Sequence, residues 1–180
     1  MNLKELGFIK DKMSITTDWN PVNQTLINGV KTKEIKNVIK TNGGLTEIWR
    51  SSWELDTMPV DQIFEVSINP GEYSDWHIHE FTTDRIFVNS GSIKVVLYDP
   101  REDSSTYGMI NEFNMSYKRP MLISIPPKIC HAIQNISDRV STLLNIVDIA
   151  YNYENPDHWR LPSNAELIPY KFRSERHSKI

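Results

Sequence analysis

The sequence predicts an all-β domain that closes as a jelly roll or barrel. Short runs of alternating apolar and polar residues recur along the chain, and turn-forming residues separate them at regular spacing. The clearest turn signals are Asn42-Gly43-Gly44 and Asn69-Pro70-Gly71. No amphipathic helix of useful length interrupts these runs. At 180 residues the chain fits one domain that can bury a core of its own.

The chain divides into three parts. Residues 1–40 are expected to form an N-terminal arm that ends in an edge strand over residues 30–39, and residues 41–150 are expected to form the barrel. The composition of residues 151–180 favours an extended segment with a short helical turn near residues 164–166 and a solvated tail. The predicted barrel strands, in chain order, are residues 45–55, 62–68, the segment around His77, 85–88, 93–98, 109–115, 120–125, 131–135 and 141–148.

The composition excludes several classes of function. The formal net charge of -3 and the pI near 6.0 lack the basic character of a protein that binds nucleic acid or a membrane surface. The single cysteine, Cys130, rules out an intramolecular disulfide and a cysteine-rich zinc site. No apolar run approaches the roughly 20 residues of a membrane span, and the first residues have no apolar core like that of a secretion signal. We therefore expect a cytoplasmic protein that acts on a small molecule.

Three histidines and one carboxylate form the candidate site. His77 and His79 alternate with Ile78, so a strand would point both imidazoles to the same face. Asp84 follows shortly afterwards, and His131 lies on a later predicted strand. Inside a small barrel these four side chains would form a polar pocket. Neutral imidazoles and a carboxylate can bind a divalent Fe, Mn, Ni or Zn ion and leave positions open for substrate, so all four residues are candidate metal ligands.

The spacing of these residues resembles the two cupin motifs. The first is Gly71-x5-His77-x-His79-x4-Asp84-x6-Gly91, with aspartate where many cupins have glutamate. The second is Pro127-x3-His131-x3-Asn135, with Lys128 in place of the usual glycine. This resemblance implies the cupin double-stranded β-helix, which is a jelly-roll barrel.

A second resemblance covers residues from about 40 to 172. Residues 42–50, Trp76-His77, residues 98–108, and Ile125-Pro126-Pro127 with His131 follow the order of the dTDP-4-dehydrorhamnose 3,5-epimerases, which are themselves cupins. The resemblance implies an enzyme that acts on a nucleotide-linked 4-keto-deoxysugar or a related carbohydrate by proton transfer next to a carbonyl. It also implies a homodimer whose N-terminal strands cross between subunits, and catalysis without a metal.

Catalytic and substrate-binding residues follow from the same resemblance. His77 corresponds to the base, and His131 with Asp99 corresponds to a histidine–aspartate relay, in which Asp99 would orient His131. The resemblance also implies that Glu47, Arg50 and Asn145 contact substrate. Two further substrate contacts are expected from residue type alone, since the Trp76 ring could stack on a base or sugar and Arg101 could contact a phosphate.

The chain departs from the epimerase pattern at four positions. The family's arginine before the first glycine is Asn42, and the arginine that contacts the diphosphate is Ser74. The lysine that stabilises the enolate is Asp84, and the tyrosine that returns the proton is Asn145, which cannot act as a general acid. Because a diphosphate and an enolate both require nearby positive charge, these changes argue against unmodified epimerase chemistry. A divalent metal could take the place of the lysine.

Two alternatives follow from these departures. The first is a metal-dependent cupin of another reaction class, such as an oxygenase or an isomerase of small molecules. The second is a sugar-binding cupin that has lost catalysis. Among the remaining candidates, His158 is expected to be structural and Cys130 to pack as a small apolar residue.

Overall fold

A computed structural model describes residues 1–19, 22 and 25–172 of the chain. Two five-stranded antiparallel sheets pack face to face, and a separate hairpin joins β2 (Asn37–Lys40) to β3 (Gly43–Thr46). The first sheet, in spatial order, contains β1 (Lys31–Glu34), β9 (Met121–Ile125), β6 (Asp84–Ser90), β11 (Ser141–Val147) and β4 (Gln62–Ile68). The second contains β12 (Trp159–Leu161), β5 (Trp76–Ile78), β10 (Cys130–Asn135), β7 (Ser92–Tyr98) and β8 (Ile110–Ser116).

This arrangement confirms the predicted all-β jelly roll. Neighbouring strands come from distant parts of the sequence, as where β6 lies between β9 and β11. The only helical element among the described residues is a single 3-10 turn over Ser51–Trp53. None of the described residues lies in a helix long and apolar enough to cross a membrane.

The core between the sheets consists of aliphatic side chains that alternate along the strands. Ile86 and Val88 from β6 pack with Val95 and Leu97 from β7, and all four are almost completely buried. The second sheet is also covered on its outer face, where Trp76 and Ile168 belong to a second buried cluster. The C-terminal segment therefore protects this sheet from solvent.

The strand predicted over residues 45–55 is wrong, because β3 ends at Thr46 and the chain then crosses the outer face of the first sheet. Trp49 and Trp53 pack there against Phe87 and Leu122. The run has the composition of a strand, but its tryptophans cover a sheet instead of joining one.

Two further boundaries differ from prediction. The edge strand expected over residues 30–39 is divided between β1, which pairs with β9, and β2, which pairs with β3. The helical turn expected near residues 164–166 is a hydrogen-bonded turn in which the Ala165 amide donates to the Pro162 carbonyl. Asn20, Pro21 and the tail from 173 to 180 lie outside the described residues.

Arg85 anchors the segment that crosses the first sheet. Its guanidinium is fully buried and donates two hydrogen bonds to the Asp56 carboxylate, at 2.8 and 2.5 Å. It also donates to the carbonyls of Met58 and Pro59 and lies 4.6 Å from the centre of the Trp49 ring. Because Asp84 and Arg85 are consecutive in β6, their side chains point to opposite faces of the sheet. Asp84 therefore lies on the inner side and Arg85 on the outer side.

Gly91 connects β6 to β7 in a conformation that excludes other residues. Its φ is +75°, and a Cβ there would lie 2.1 Å from Ser141 Oγ and 2.9 Å from Ser141 Cα. We expect Gly91→Ala to lower the free energy of unfolding by about 3 kcal/mol, since both the left-handed backbone and the overlap are unfavourable. Gly108 has a φ of +74° but nothing within 4 Å of a Cβ, so Gly108→Ala should cost only about 1 kcal/mol. Urea denaturation measures both free energies of unfolding. Equal decreases for Gly91→Ala and Gly108→Ala would contradict the proposed overlap with Ser141.

Candidate active site

A cavity of about 750 Å³ opens at one end of the barrel. Strands of both sheets contribute to its wall, and residues 155–160 of the C-terminal segment complete it. His77, His79, Asp84, His131 and Asn145 all line this cavity. The strand ladder explains their convergence, because His131 of β10 lies directly opposite His77 of β5.

The three histidines form a compact cluster. One ring nitrogen of each lies within 4.8 Å of those of the other two. The rings of His77 and His131 are closest, with 4.0 Å between their centroids, and those of His79 and His131 are 5.8 Å apart. The spacing of these residues in the sequence predicted this convergence.

Backbone carbonyls fix the orientation of each imidazole. Nδ1 of His77 lies 3.3 Å from the Asp75 carbonyl oxygen, and Nδ1 of His131 lies 3.2 Å from that of Ile129. Nδ1 of His79 contacts the carbonyl oxygen of Asp157. Because a carbonyl oxygen only accepts hydrogen bonds, Nδ1 carries the proton in each ring. The Nε2 lone pairs are therefore left for the cavity.

Asp84 lies among these nitrogens. Its Oδ2 is 3.3 Å from Nε2 of His79 and 3.4 Å from Nε2 of His131, while its Oδ1 accepts a 2.6 Å hydrogen bond from the Asn145 amide. A carboxylate oxygen and two imidazole lone pairs repel each other at this distance. The arrangement is thus complementary to a cation, either a metal ion or a proton.

Burial keeps the imidazoles of His77 and His131 in their neutral form. Loss of solvation, reinforced by His79, lowers the pKa of His131 to about 3. Loss of solvation and the neighbouring His131 hold the pKa of His77 well below its usual value. At neutral pH both rings can accept a proton or donate a lone pair to a metal.

The C-terminal segment adds two residues whose positions the sequence analysis missed. The ring of His158 stacks on that of His77, with 5.0 Å between centroids and 19° between planes. The Asp157 carboxylate accepts hydrogen bonds from the amides of Glu80, Phe81 and Thr82, and its carbonyl orients His79. Burial alone would raise the pKa of Asp157, but these hydrogen bonds lower it below its usual value. The residues around them in the sequence give no signal of this position, and His158 is predicted to be structural.

The expected relay between Asp99 and His131 is wrong. Asp99 is fully buried, and its carboxylate accepts hydrogen bonds from Arg101, Ser104 and Thr106. Burial alone would raise the pKa of Asp99, but these bonds hold it well below the usual range. Arg101 donates hydrogen bonds to the Asp99 carboxylate and to the Asn28 carbonyl, and it does not line the cavity. This buried ion pair stabilises the loop after β7.

Three other expected substrate contacts also lie elsewhere. Glu47 and Arg50 form an exposed ion pair with each other, because the chain leaves the predicted strand before reaching them. Trp76 is fully buried on the outer face of the second sheet, since residues adjacent in a strand point to opposite faces and His77 occupies the inner one. Cys130 packs in the same outer cluster, where burial raises the pKa of its thiol to about 12.

A jelly roll with three histidines and a carboxylate converging in its cavity defines a cupin. No family model matches the chain. It is 32% identical over 152 residues to the probable low-salt glycan biosynthesis epimerase Agl13 of Haloferax volcanii. The aligned region covers 84% of this chain and 97% of the relative. It is 30% identical over 153 residues to the spore coat polysaccharide biosynthesis protein SpsL of Bacillus subtilis. The aligned region covers 83% of this chain and 99% of the relative.

Solved structures of epimerases and a sugar isomerase share the fold. A dTDP sugar isomerase from Desulfovibrio desulfuricans G20 aligns with a TM-score of 0.75 and 24% identity over 81% of this chain and 91% of that one. The dTDP-4-dehydrorhamnose 3,5-epimerase from Bacillus anthracis str. Ames aligns with a TM-score of 0.73 and 18% identity over 82% and 86%. The chain belongs to the family of glycan and polysaccharide biosynthesis proteins that includes Agl13 and SpsL, and it shares its fold with the dTDP-4-dehydrorhamnose 3,5-epimerases.

Proposed function

We propose that the protein epimerises a nucleotide-linked 4-keto-deoxysugar, or a related carbohydrate, at a carbon next to the carbonyl. The observation that carries this proposal is the neutral His77 imidazole in the cavity, with Nδ1 held by a carbonyl and Nε2 free to accept a proton. In this reaction Nε2 of His77 takes the proton from the carbon, and the electrons of the C–H bond form an enolate. A proton from solvent then adds to the opposite face of the carbon, His77 releases its proton to solvent, and the carbon is inverted without net oxidation or reduction.

The enolate requires positive charge that the family's lysine would supply, and Asp84 stands at that position. We propose that a divalent metal ion binds His79, Asp84 and His131, whose Nε2 and carboxylate atoms face one another, while Nε2 of His77 stays unligated to accept the proton. The donor set fits, because the imidazoles carry their protons on Nδ1 and two Nε2 atoms face a carboxylate oxygen. Such an ion, when bound, supplies charge that stabilises an adjacent oxyanion. Asn145 fixes Asp84 through its amide.

Metal analysis tests this part of the proposal. Protein purified without chelator or a histidine-rich tag should contain close to one Fe, Mn, Ni or Zn ion per chain by plasma mass spectrometry. His79→Ala and Asp84→Ala should lose the ion, whereas Asp138→Ala, on an exposed turn outside the cavity, should retain it. Trace metal that is equal in all four proteins would overturn the metal site. A proton shared between Asp84 and the Nε2 atoms of His79 and His131 would then explain their close approach.

Deuterium exchange tests the reaction itself. Wild-type protein in D2O is mixed with dTDP- or UDP-linked 4-keto-deoxysugars, and NMR follows deuterium at the carbons next to the carbonyl. Uptake together with an epimerised product supports the proposal. Binding without exchange would instead indicate the sugar-binding alternative, and oxygen-dependent turnover would indicate a metal oxygenase.

We also propose that the protein is a homodimer. Leu6, Phe8 and Ile9 of the N-terminal arm are exposed, as are Val38 and Ile39 of the hairpin, and a partner subunit could cover these apolar side chains. Light scattering should give twice the chain mass of 21.0 kDa. Deletion of residues 1–26 should shift the protein toward monomer, and an unchanged mass would contradict a role for the arm.

A further inference from the structure

We propose that Arg160 binds the diphosphate of the substrate, in place of the arginine that the epimerase pattern would put at Ser74. This inference rests on the proposed function, since it names the group that holds the sugar nucleotide. Ser74 and Arg160 both line the cavity, so Arg160 supplies a cation to the same cavity wall.

The strand ladder directs Arg160 toward the histidines. Arg160 of β12 lies directly opposite His77 of β5, which lies directly opposite His131 of β10. Residues opposite each other in antiparallel strands point to the same face, so these three side chains form one row across the sheet. Leu161, the next residue of β12, packs in the outer cluster, as alternation requires. Arg160 thus lies at the cavity end of the row, next to the proposed base.

The charged residues of the cavity wall indicate that Arg160 is the residue that binds an anion. Among the described residues that line the cavity, Arg160 is the only lysine or arginine. The acidic lining residues are Glu72, Glu80, Asp84 and Asp157. These carboxylates repel a diphosphate over most of the wall, whereas a guanidinium forms two parallel hydrogen bonds with phosphate oxygens.

The Arg160 guanidinium has no charged partner among residues 1–19, 22 and 25–172. Within the described part of the chain, no carboxylate forms an ion pair with Arg160, and its side chain is exposed at the cavity. Asp157, the nearest acid in the sequence, is occupied by the amides of residues 80–82. By contrast, Arg85 is held by Asp56 and Arg101 by the buried Asp99. Arg160 is therefore available to a ligand.

Binding of free nucleotides tests this inference without the reaction. Calorimetry would measure the Kd of dTDP, UDP and thymidine for wild type, Arg160→Gln, Arg160→Lys and the control Arg139→Gln, whose side chain is exposed outside the cavity. We expect Arg160→Gln to weaken binding of the diphosphates by roughly 10- to 100-fold and to leave thymidine unchanged. Arg160→Lys should recover part of the loss, since it keeps the charge but not the fork geometry.

The outcomes separate this inference from the proposed function. Equal diphosphate affinity in wild type and Arg160→Gln, or equal losses for thymidine and dTDP, would overturn the role of Arg160. If wild type exchanges no deuterium into keto-sugars but still loses dTDP or UDP affinity in Arg160→Gln, the diphosphate site stands and the reaction does not. If the reaction occurs, the KM of the sugar nucleotide should rise in Arg160→Gln by the same factor as the Kd.

Discussion

Replacement of His77 by glutamine is expected to lower the turnover of a 4-keto sugar nucleotide by roughly 10³-fold. Glutamine preserves much of the size and polarity of the imidazole, but it cannot accept a proton from carbon. The rate of deuterium uptake from D2O should fall by the same factor, because removal of the proton is the step that His77 performs. NMR of the sugar ring protons measures both rates in one experiment.

Two controls make the result specific to His77. Glu112→Gln changes an exposed residue of β8 outside the cavity and should retain wild-type exchange. Metal content is measured in parallel, because His77 lies next to the proposed metal ligands His79 and His131. Exchange at the wild-type rate in a folded His77→Gln protein would exclude His77 as the base.

Replacement of Asp56 by asparagine is expected to lower the free energy of unfolding by about 3–5 kcal/mol, which corresponds to roughly 10 °C in Tm for a chain of this size. The change leaves the fully buried Arg85 guanidinium without its carboxylate. Burial alone would raise the pKa of Asp56, but hydrogen bonds from Arg85 and Ser124 outweigh it and lower the pKa. Since the folded protein holds this carboxylate ionised, its contribution exists above the unfolded pKa of about 4 and decreases as the pH falls below that value.

Urea denaturation at pH 7 and pH 3 measures both effects. The difference between wild type and Asp56→Asn should be large at pH 7 and smaller at pH 3. Asp138→Asn breaks an ion pair whose side chains are both mostly exposed, so it should change stability very little at either pH. A loss for Asp56→Asn no greater than that for Asp138→Asn would contradict the anchoring role of Arg85.

Local patterns in the sequence predicted the barrel and the centre of the site. The alternation over residues 62–68 predicted β4 with its observed bounds, and the spacing of His77, His79 and His131 predicted their convergence. These predictions succeeded because period-2 geometry and tight turns depend on nearby residues. The same geometry turns Trp76 away from the cavity, although its aromatic ring, which could stack on a sugar, predicts a place inside it.

The remaining features depend on contacts that are distant in sequence or on competing local partners. Nothing near His158 indicates that the C-terminal segment returns as β12 beside β5. The crossing of residues 48–55 over the first sheet depends on Phe87 and Leu122, which come much later in the chain. Asp99 is predicted to orient His131. Its carboxylate instead accepts hydrogen bonds from Ser104 and Thr106, which are only five and seven residues away.

The adjacency of Asp84 and Arg85 ties the chemistry of this enzyme to its folding. A shift of β6 by one residue against its neighbours would exchange the two faces, placing a guanidinium among the histidines and a carboxylate against Trp49. Each of these two misplaced charges raises the free energy of the shifted strand, so Asp84 and Arg85 both favour the observed register of β6. A misregistered chain would lose its active site and its anchor together, and partially folded molecules with residual, altered activity are therefore not expected.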